Sequence, residues 1–398
     1  MTTLSLVALT LIVIPLAYLL LLALGSARNR GPKTAPSLRP VHRFVIAIPA
    51  HDEANVIAGT IRQMQTLNYP GNLFSIHVIA DHCSDQTAEI ARKAGVVVHE
   101  RHSGPRTGKG GALSWFFRRV LAEDICDAVV IFDADTRVAA DFLTLLNARL
   151  AQGDQVIQGQ HLISNPDKGW FPGLTWAMFL VDNRFQNLGR VNLGWSAKNM
   201  GDSICFRADI LRRLGWGEGL ADDYELRQRL LLEGIKITYE PEAIGRGEAP
   251  LSWAQARAQR ARWIQGTRES SRKFARRMLR EGLRRRNSAL LDGALQAYLP
   301  SYSTLTMLSV LFLLIQLLAN WRFGQIFSSS LIAAWMAIAG VLFSYPLIGL
   351  ALERAPLRAY LAILSGPLFI IWRGWLVMSL RLSKGRALWV RTAHFGEE

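Results

Sequence analysis

Val129-Val130-Ile131-Phe132-Asp133-Ala134-Asp135-Thr136 decides how the rest of the chain is read. Four apolar residues, mostly β-branched or aromatic, have the pattern of a strand buried on both faces, as in a parallel sheet. They run straight into two carboxylates one residue apart. In an open α/β sheet, ligands bind at the carboxyl ends of the strands. Two acids placed there repel each other unless a cation lies between them. An oxygen-only pair suits a hard divalent ion, Mg²⁺ or Mn²⁺, carrying the phosphates of a substrate. An exposed turn after a strand also favours Asp, so the pair takes its meaning from its surroundings.

Outward from this stretch, residues 43 to about 246 repeat strand, loop and helix. Residues 44–48, 76–80 and 96–99 read as strands; 54–67, 86–94 and 112–121 have helical apolar spacing. Such alternation predicts mostly parallel strands joined by crossover helices. At 398 residues, half of them hydrophobic and unevenly spread, the chain is long enough for more than one unit.

The flanks are of another kind. Residues 4–24 carry no charge and are long enough for a hydrocarbon core of roughly 30 Å. A cleaved signal peptide is the competing reading, but its basic residues should come first. Here Arg28, Arg30, Lys33 and Arg39 follow the apolar run. The expectation is an uncleaved transmembrane helix over 1–25 and a basic, proline-containing linker over 26–42, with a cytoplasmic catalytic domain over 43–250. Residues 251–298 mix many arginines with Trp253, Trp263, Ile264, Phe274 and Met278. That pattern suits amphipathic helices on anionic lipid. A C-terminal membrane region then fills 299–398, with spans at 299–320 and 331–352. Residues 360–380 contain Arg373 and Gly366-Pro367 and precede a basic tail, so they read as interfacial or re-entrant.

The net charge of +15 invites a nucleic-acid reading. The basic residues lie between apolar runs, however, which favours membrane lipids as partner and no nucleic acid. Cys83, Cys126 and Cys205 lack the paired spacing of a disulfide framework or zinc site, as befits a reducing compartment. Together these features place the chain in a bacterial-type inner membrane as a multi-pass protein.

Five constellations carry the chemistry: Pro49-Ala50-His51-Asp52-Glu53, Asp81-His82-Cys83-Ser84-Asp85, Gly108-Lys109-Gly110-Gly111, Asp133-Ala134-Asp135, and Ala221-Asp222-Asp223 with Gln259-Arg260-Ala261-Arg262-Trp263 downstream. In this order the chain resembles the membrane-associated family 2 glycosyltransferases of GT-A fold, in particular the cellulose, chitin, hyaluronan and poly-N-acetylglucosamine synthase branch. The resemblance covers residues 43 to about 280. It implies a Rossmann-like α/β domain, with a mixed, mostly parallel sheet and helices on both faces, inserted between transmembrane helices. It implies an inverting transfer from a UDP-sugar to a growing polysaccharide, forming a β-linkage. A non-processive enzyme acting on a lipid or lipid-linked saccharide is the alternative.

By the same resemblance, Glu53, Asp81 and Asp133 hold the nucleotide-sugar; Lys109, in its glycine-rich stretch, is expected beside the nucleotide diphosphate. Asp133 and Asp135 hold Mg²⁺ or Mn²⁺, Asp223 is the general base, and Gln259, Arg262 and Trp263 bind diphosphate and acceptor. Physical chemistry asks for the same parts. Displacing a diphosphate in one step needs charge neutralised on the leaving group, a carboxylate to take the acceptor proton and a platform to hold the hydroxyl in line. Offsets of three and four would put Gln259, Arg262 and Trp263 on one helical face. Lys109 does not fit a P-loop, because three residues rather than four separate Gly104 from Gly108 and Gly110 follows the lysine. His82 and Cys83 read as turn residues.

The pattern also departs from the family's. Ala221 and Asp222 stand where Thr and Glu are usual, Gly201-Asp202-Ser203 replaces a Gly-x-Gly, and Trp389 and Arg391 form only a loose likeness to a gating element. Two other classes compete: a catalytically dead nucleotide-sensing scaffold, which would lack an essential acid, and a nucleic-acid binder, which would carry its charge on a soluble face.

Overall fold

Strand β1 (Phe44–Ala50) shows how the sequence builds the molecule. Successive side chains on a strand point to opposite faces. Val45 and Ala47 therefore enter one apolar core, while Phe44, Ile46 and Ile48 enter another on the far side of the sheet. β4 (Ala128–Ile131) does the same, with Val129 and Ile131 on the first face and Ala128 and Val130 on the second. Both faces must then be covered, and helices cover them.

The computed structural model describes residues 2–27, 39–123, 125–217 and 219–382. Within them one eight-stranded sheet runs in the order β3-β2-β1-β4-β7-β6-β8-β5. The remaining strands are β2 (Phe74–Asp81), β3 (Val97–Arg101), β5 (Arg137–Val138), β6 (Val156–Ile163), β7 (Ile204–Arg207) and β8 (Ile237–Gly247). β3, β2, β1 and β4 are parallel. β7 enters antiparallel between β4 and β6, β8 is parallel to β6, and short β5 closes the edge antiparallel. The sheet is thus mixed, as expected, and β7 is what makes it so. The chain winds outward from β1 to β3 and then returns to place β4 on β1's other side. This creates a crevice at the carboxyl ends of β1 and β4, the place where such sheets bind ligands.

The helices before the membrane region are α1 (Thr2–Ser26), α2 (Ile57–Met64), α3 (Thr87–Lys93), α4 (Lys109–Val120), α5 (Phe142–Ala151), α6 (Trp170–Asp182), α7 (Gly189–Asn192), α8 (Ala208–Leu214) and α9 (Asp222–Leu232). α2 and α5 cover one face, and α4, α8 and α9 cover the other. Basic α10 (Trp253–Arg284) and α11 (Ser288–Tyr298) come next, then α12 (Tyr302–Phe323), α13 (Ser329–Leu352), α14 (Leu357–Ile363) and α15 (Gly366–Leu382).

Three described helices are long and apolar enough to cross a membrane, at Ser5–Ser26, Tyr302–Phe323 and Ser329–Leu352. α14 and α15 form a pair bent by 44°, which passes that test only when counted together. They do not stand apart from the rest. Trp253 of α10 stacks near Trp170, Phe171 and Trp372, and Arg257 lies 5.3 Å over the Trp375 ring. The expectations for residues 28–38 and for Trp389 and Arg391 lie outside the described residues.

One buried polar cluster ties α1 to α7, α9 and α11. Asp292 of α11 accepts from Tyr18 Oη at 2.6 Å, Arg190 Nε at 3.0 Å and Arg227 Nη2 at 3.2 Å. Removing Asp292 would strand the two buried guanidiniums of Arg190 and Arg227 and cost about 3–5 kcal/mol.

Candidate active site

β1, β2 and β4 all end at the crevice; β2 ends in an acid, and acids follow β1 and β4 within three residues. Asp81 closes β2 and is buried. Arg101 holds its Oδ1 at 3.2 Å and His82 Nδ1 holds the same atom at 2.9 Å. Glu53 follows β1, its backbone amide donating to Thr87 Oγ1 at 2.7 Å. Asp133 and Asp135 follow β4. Glu53, Asp81, Lys109, Asp133, Asp135, Gln259 and Arg262 line one cavity of about 200 Å³, with His51, Arg106 and Glu248.

A second cavity, about 360 Å³, adjoins the first through Asp133, Asp135, Glu248 and Gln259. Asp223 and Trp263 line it, together with His161, Asp182, Lys198, Arg227 and Arg260. The two cavities therefore bring all nine residues singled out from the sequence together. α10 supplies three of them, and its face divides the work: Arg262 looks to the first cavity, Trp263 to the second and Gln259 to both.

The Asp222-Asp223 pair opens α9, but neither is its cap; that place is taken by Ala221. Asp222 accepts from Trp216 Nε1 at 2.6 Å, and Asp223 accepts the Tyr224 amide at 2.7 Å. Burial and then the neighbouring charge of Asp222 push the Asp223 carboxyl up to about 6, against the pull of the Tyr224 amide, Lys109 and Arg262. Asp223 is thus still mainly ionised at neutral pH and more basic than an ordinary carboxylate.

Close packing holds it in place. Gly201 adopts φ +78°, and a Cβ there would stand 3.3 Å from Asp223 Oδ2. On α10, a Cβ at Gly266 would come within 2.4 Å of the Ala221 amide nitrogen. Glycine lets the backbone reach both places.

Lys109 is committed to a partner. Its Nζ pairs with Asp133 and donates to the Gly201 carbonyl at 2.8 Å. Burial pulls its pKa down, but Asp133, Asp202 and Asp222 outweigh burial and raise it. Asp135 Oδ2 accepts the Glu248 amide at 2.8 Å.

Sequence reasoning missed the layer beneath. Asp202 is buried, accepts the Asp133 amide at 3.0 Å and pairs with His161 Nδ1 at 2.6 Å. Burial raises its pKa, but His161 and Lys109 more than offset this and hold it low. The departure from Gly-x-Gly at 201–203 was its signal. Glu248 and Arg260 had none, since only the third dimension brings them in.

Among the described residues, one His/Asp/Cys group is close enough to share an ion: His51, Asp52 and Cys83. It is poorly suited to one. Asp52 already accepts the Ser84 amide and hydroxyl, and burial pushes the Cys83 thiol up to about 11. Asp133 and Asp135 instead offer only oxygen to a cavity lined by cations. Mg²⁺ or Mn²⁺ typically takes one or two carboxylates and completes its shell with phosphate and water, and this donor set fits that habit.

Comparison with known proteins agrees with the geometry. The chain is 27% identical over 298 residues to the probable glycosyltransferase YdaM of Bacillus subtilis (strain 168), covering 68% of each chain. It is 31% identical over 234 residues to a β-monoglucosyldiacylglycerol synthase of Trichormus variabilis, covering 56% of this chain and 48% of that protein, so it spans about half of that relative's length. In structure it is similar to the mannosyltransferase PcManGT of Pyrobaculum calidifontis, solved with GDP-Man and Mn²⁺, at a TM-score of 0.59, 18% identity, and coverage of 89% of this chain and 99% of that one. That likeness is one of fold, GT-A. The model of the glycosyl transferase family group 2 matches residues 128–378, and the chain belongs to that family.

Proposed function

We propose that the protein is an inverting, metal-dependent glycosyltransferase that moves a sugar from a UDP-sugar to an acceptor carried by a membrane lipid, at the inner face of the membrane. The observation that supports this most is adjacency: the acid-lined donor cavity shares Asp133, Asp135 and Gln259 as a common wall with the cavity of Asp223. That cavity in turn shares Asp182, Lys198, Arg260, Trp263 and Thr267 with a space among the apolar helices.

Asp81 lies at the donor end, an acceptor-only group suited to the imide N–H of a uracil base. Glu53 lies beside it for the nucleoside. Arg262 and Arg106 offer charge-assisted contacts to the diphosphate, and Lys109, paired with Asp133, adds positive charge beside it. Asp133 and Asp135 would hold Mg²⁺ or Mn²⁺, which when bound neutralises charge developing on the departing diphosphate. Asp223 takes the proton from the acceptor hydroxyl as that oxygen attacks the anomeric carbon, and UDP leaves from the opposite side. A single displacement inverts the α-linked donor to a β-linkage. Gln259 and Trp263 hold the acceptor, the indole face against the apolar side of a sugar.

A growing polysaccharide is the second reading, favoured by the Trp263 ring in the acceptor wall. Membranes containing the protein, given a panel of UDP-sugars and Mn²⁺, should release UDP. Mass spectrometry of the product should then show one sugar added to a lipid-borne acceptor; a ladder of added sugars would support the polymer instead. A protein that binds UDP-sugars but never releases UDP would be the scaffold.

A further inference from the structure

Arg260 lies where three spaces meet. It lines the cavity of Asp223, an apolar space of about 460 Å³, and a basic groove of about 690 Å³. The apolar space is walled by Leu19 of α1, Phe343 and Tyr345 of α13, and Ile363, Phe369 and Ile370 of the bent pair. Arg373 of α15 lines that space and the groove as well.

Neither guanidinium has a carboxylate within ion-pair distance among the described residues. Arg260 lies 4.7 Å over the Trp263 ring and 5.7 Å from that of Phe369, and its buried Nε has no hydrogen-bond partner. Arg373 donates to two hydroxyls, Ser301 Oγ at 2.6 Å and Thr304 Oγ1 at 3.5 Å. The acid that shares the space, Asp182, is taken by Lys198 at 3.0 Å. Burial first, and then the charge of Arg373, push Arg260 down to about 10. Two half-buried, mutually repelling cations beside an apolar chamber are costly unless an anion joins them.

We infer that the acceptor is an anionic lipid: its tail fills the chamber between α1, α13 and α15, its phosphate rests between Arg260 and Arg373, and its hydroxyl-bearing head reaches Asp223. This rests on the proposed lipid-borne acceptor and narrows it to the class with a phosphodiester or diphosphate between tail and head. A neutral glycerolipid would leave both guanidiniums unanswered. Arg268, Arg272 and Arg276 line the adjoining groove and extend the positive field along the membrane surface.

The test uses the full chain in micelles of tetraethylene glycol monooctyl ether, a phosphate-free host, with added dioleoylphosphatidylglycerol, a polyprenyl-diphosphate-linked sugar or dioleoylglycerol. Native mass spectrometry counts the retained lipid, and UDP release follows turnover. The wild type should retain one of the two phosphate-bearing lipids at least about tenfold better than dioleoylglycerol, and which of them it retains tells a phospholipid from a lipid-linked saccharide. The pair Arg260→Gln and Arg373→Gln should remove that preference, and the two Lys substitutions should keep part of it. UDP binding serves as the control for folding. Arg277→Gln with Arg280→Gln, on the exposed side of α10, should weaken general adhesion to anionic membranes without touching the one-to-one preference. Equal retention of dioleoylglycerol, with turnover on it, overturns the anionic class while leaving the lipid acceptor standing. Turnover on soluble oligosaccharides alone overturns both. An unchanged preference in the folded Gln pair overturns the site.

Discussion

Replacing Asp223 by Asn should make the protein more stable and nearly inactive at once. Its carboxyl titrates at about 6 in the folded chain against an ordinary 3.8. The folded state therefore binds this proton more tightly than the unfolded state does. The cost of ionising Asp223 is absent below about pH 3.8, grows through the interval and is complete above about pH 6. At about 1.4 kcal/mol per pH unit, it reaches roughly 3 kcal/mol at neutral pH. Asn removes that cost and can still accept the Tyr224 amide, but buries an amide with incomplete partners, at about 1–2 kcal/mol. A net gain of about 1–2 kcal/mol is expected, or a few degrees in Tm. Thermal unfolding of purified wild type and variant at pH 8 and at pH 5 reads this, with the difference shrinking toward the lower pH. Turnover should fall about 10²–10⁴-fold, with UDP-sugar binding nearly intact. An Asn variant less stable at pH 8, a gain independent of pH, or lost UDP binding with residual turnover unaltered would each refute the reasoning.

Other outcomes follow from the same geometry. Wild-type kcat should drop about tenfold per pH unit once pH falls below about 6, because the base must be ionised; a flat profile down to pH 5 rules Asp223 out. Gly201→Ala places a side chain at φ +78° and 3.3 Å from Asp223 Oδ2, so stability should drop by about 1–2 kcal/mol and turnover with it. Gly266→Ala forces α10 away from Ala221 and should lower kcat and weaken UDP binding together, as measured by calorimetry, because Arg262 lies on the same helix. Trp263→Ala should raise the acceptor KM far more than the donor KM.

The strands around Asp133 were legible because each buries both faces and ends at or just before an acid, two signals that need no partner to be seen. Asp223 and the Gln259, Arg262 and Trp263 face were legible for a similar reason, as local patterns at helical or turn spacing. β7 was not, because its short Ile204–Arg207 run carries no mark of the antiparallel place it takes between β4 and β6. The His161–Asp202 pair and the meeting of Arg260 with Arg373 join residues far apart in the chain, and nothing local announces such pairs. The start of α12 could have been read more closely: Ser301 caps it by accepting the Thr304 amide at 3.3 Å, a Ser-x-x-Thr signal present in the sequence.

The most direct measurement is a titration of UDP into the purified full chain, with and without Mn²⁺. Convergence of the acids on one metal-bound diphosphate predicts micromolar binding that needs Mn²⁺, is lost in Asp81→Ala and in Asp135→Ala, and persists in Asp223→Asn. Equally tight binding without metal, indifferent to Asp81 and Asp135, would contradict it.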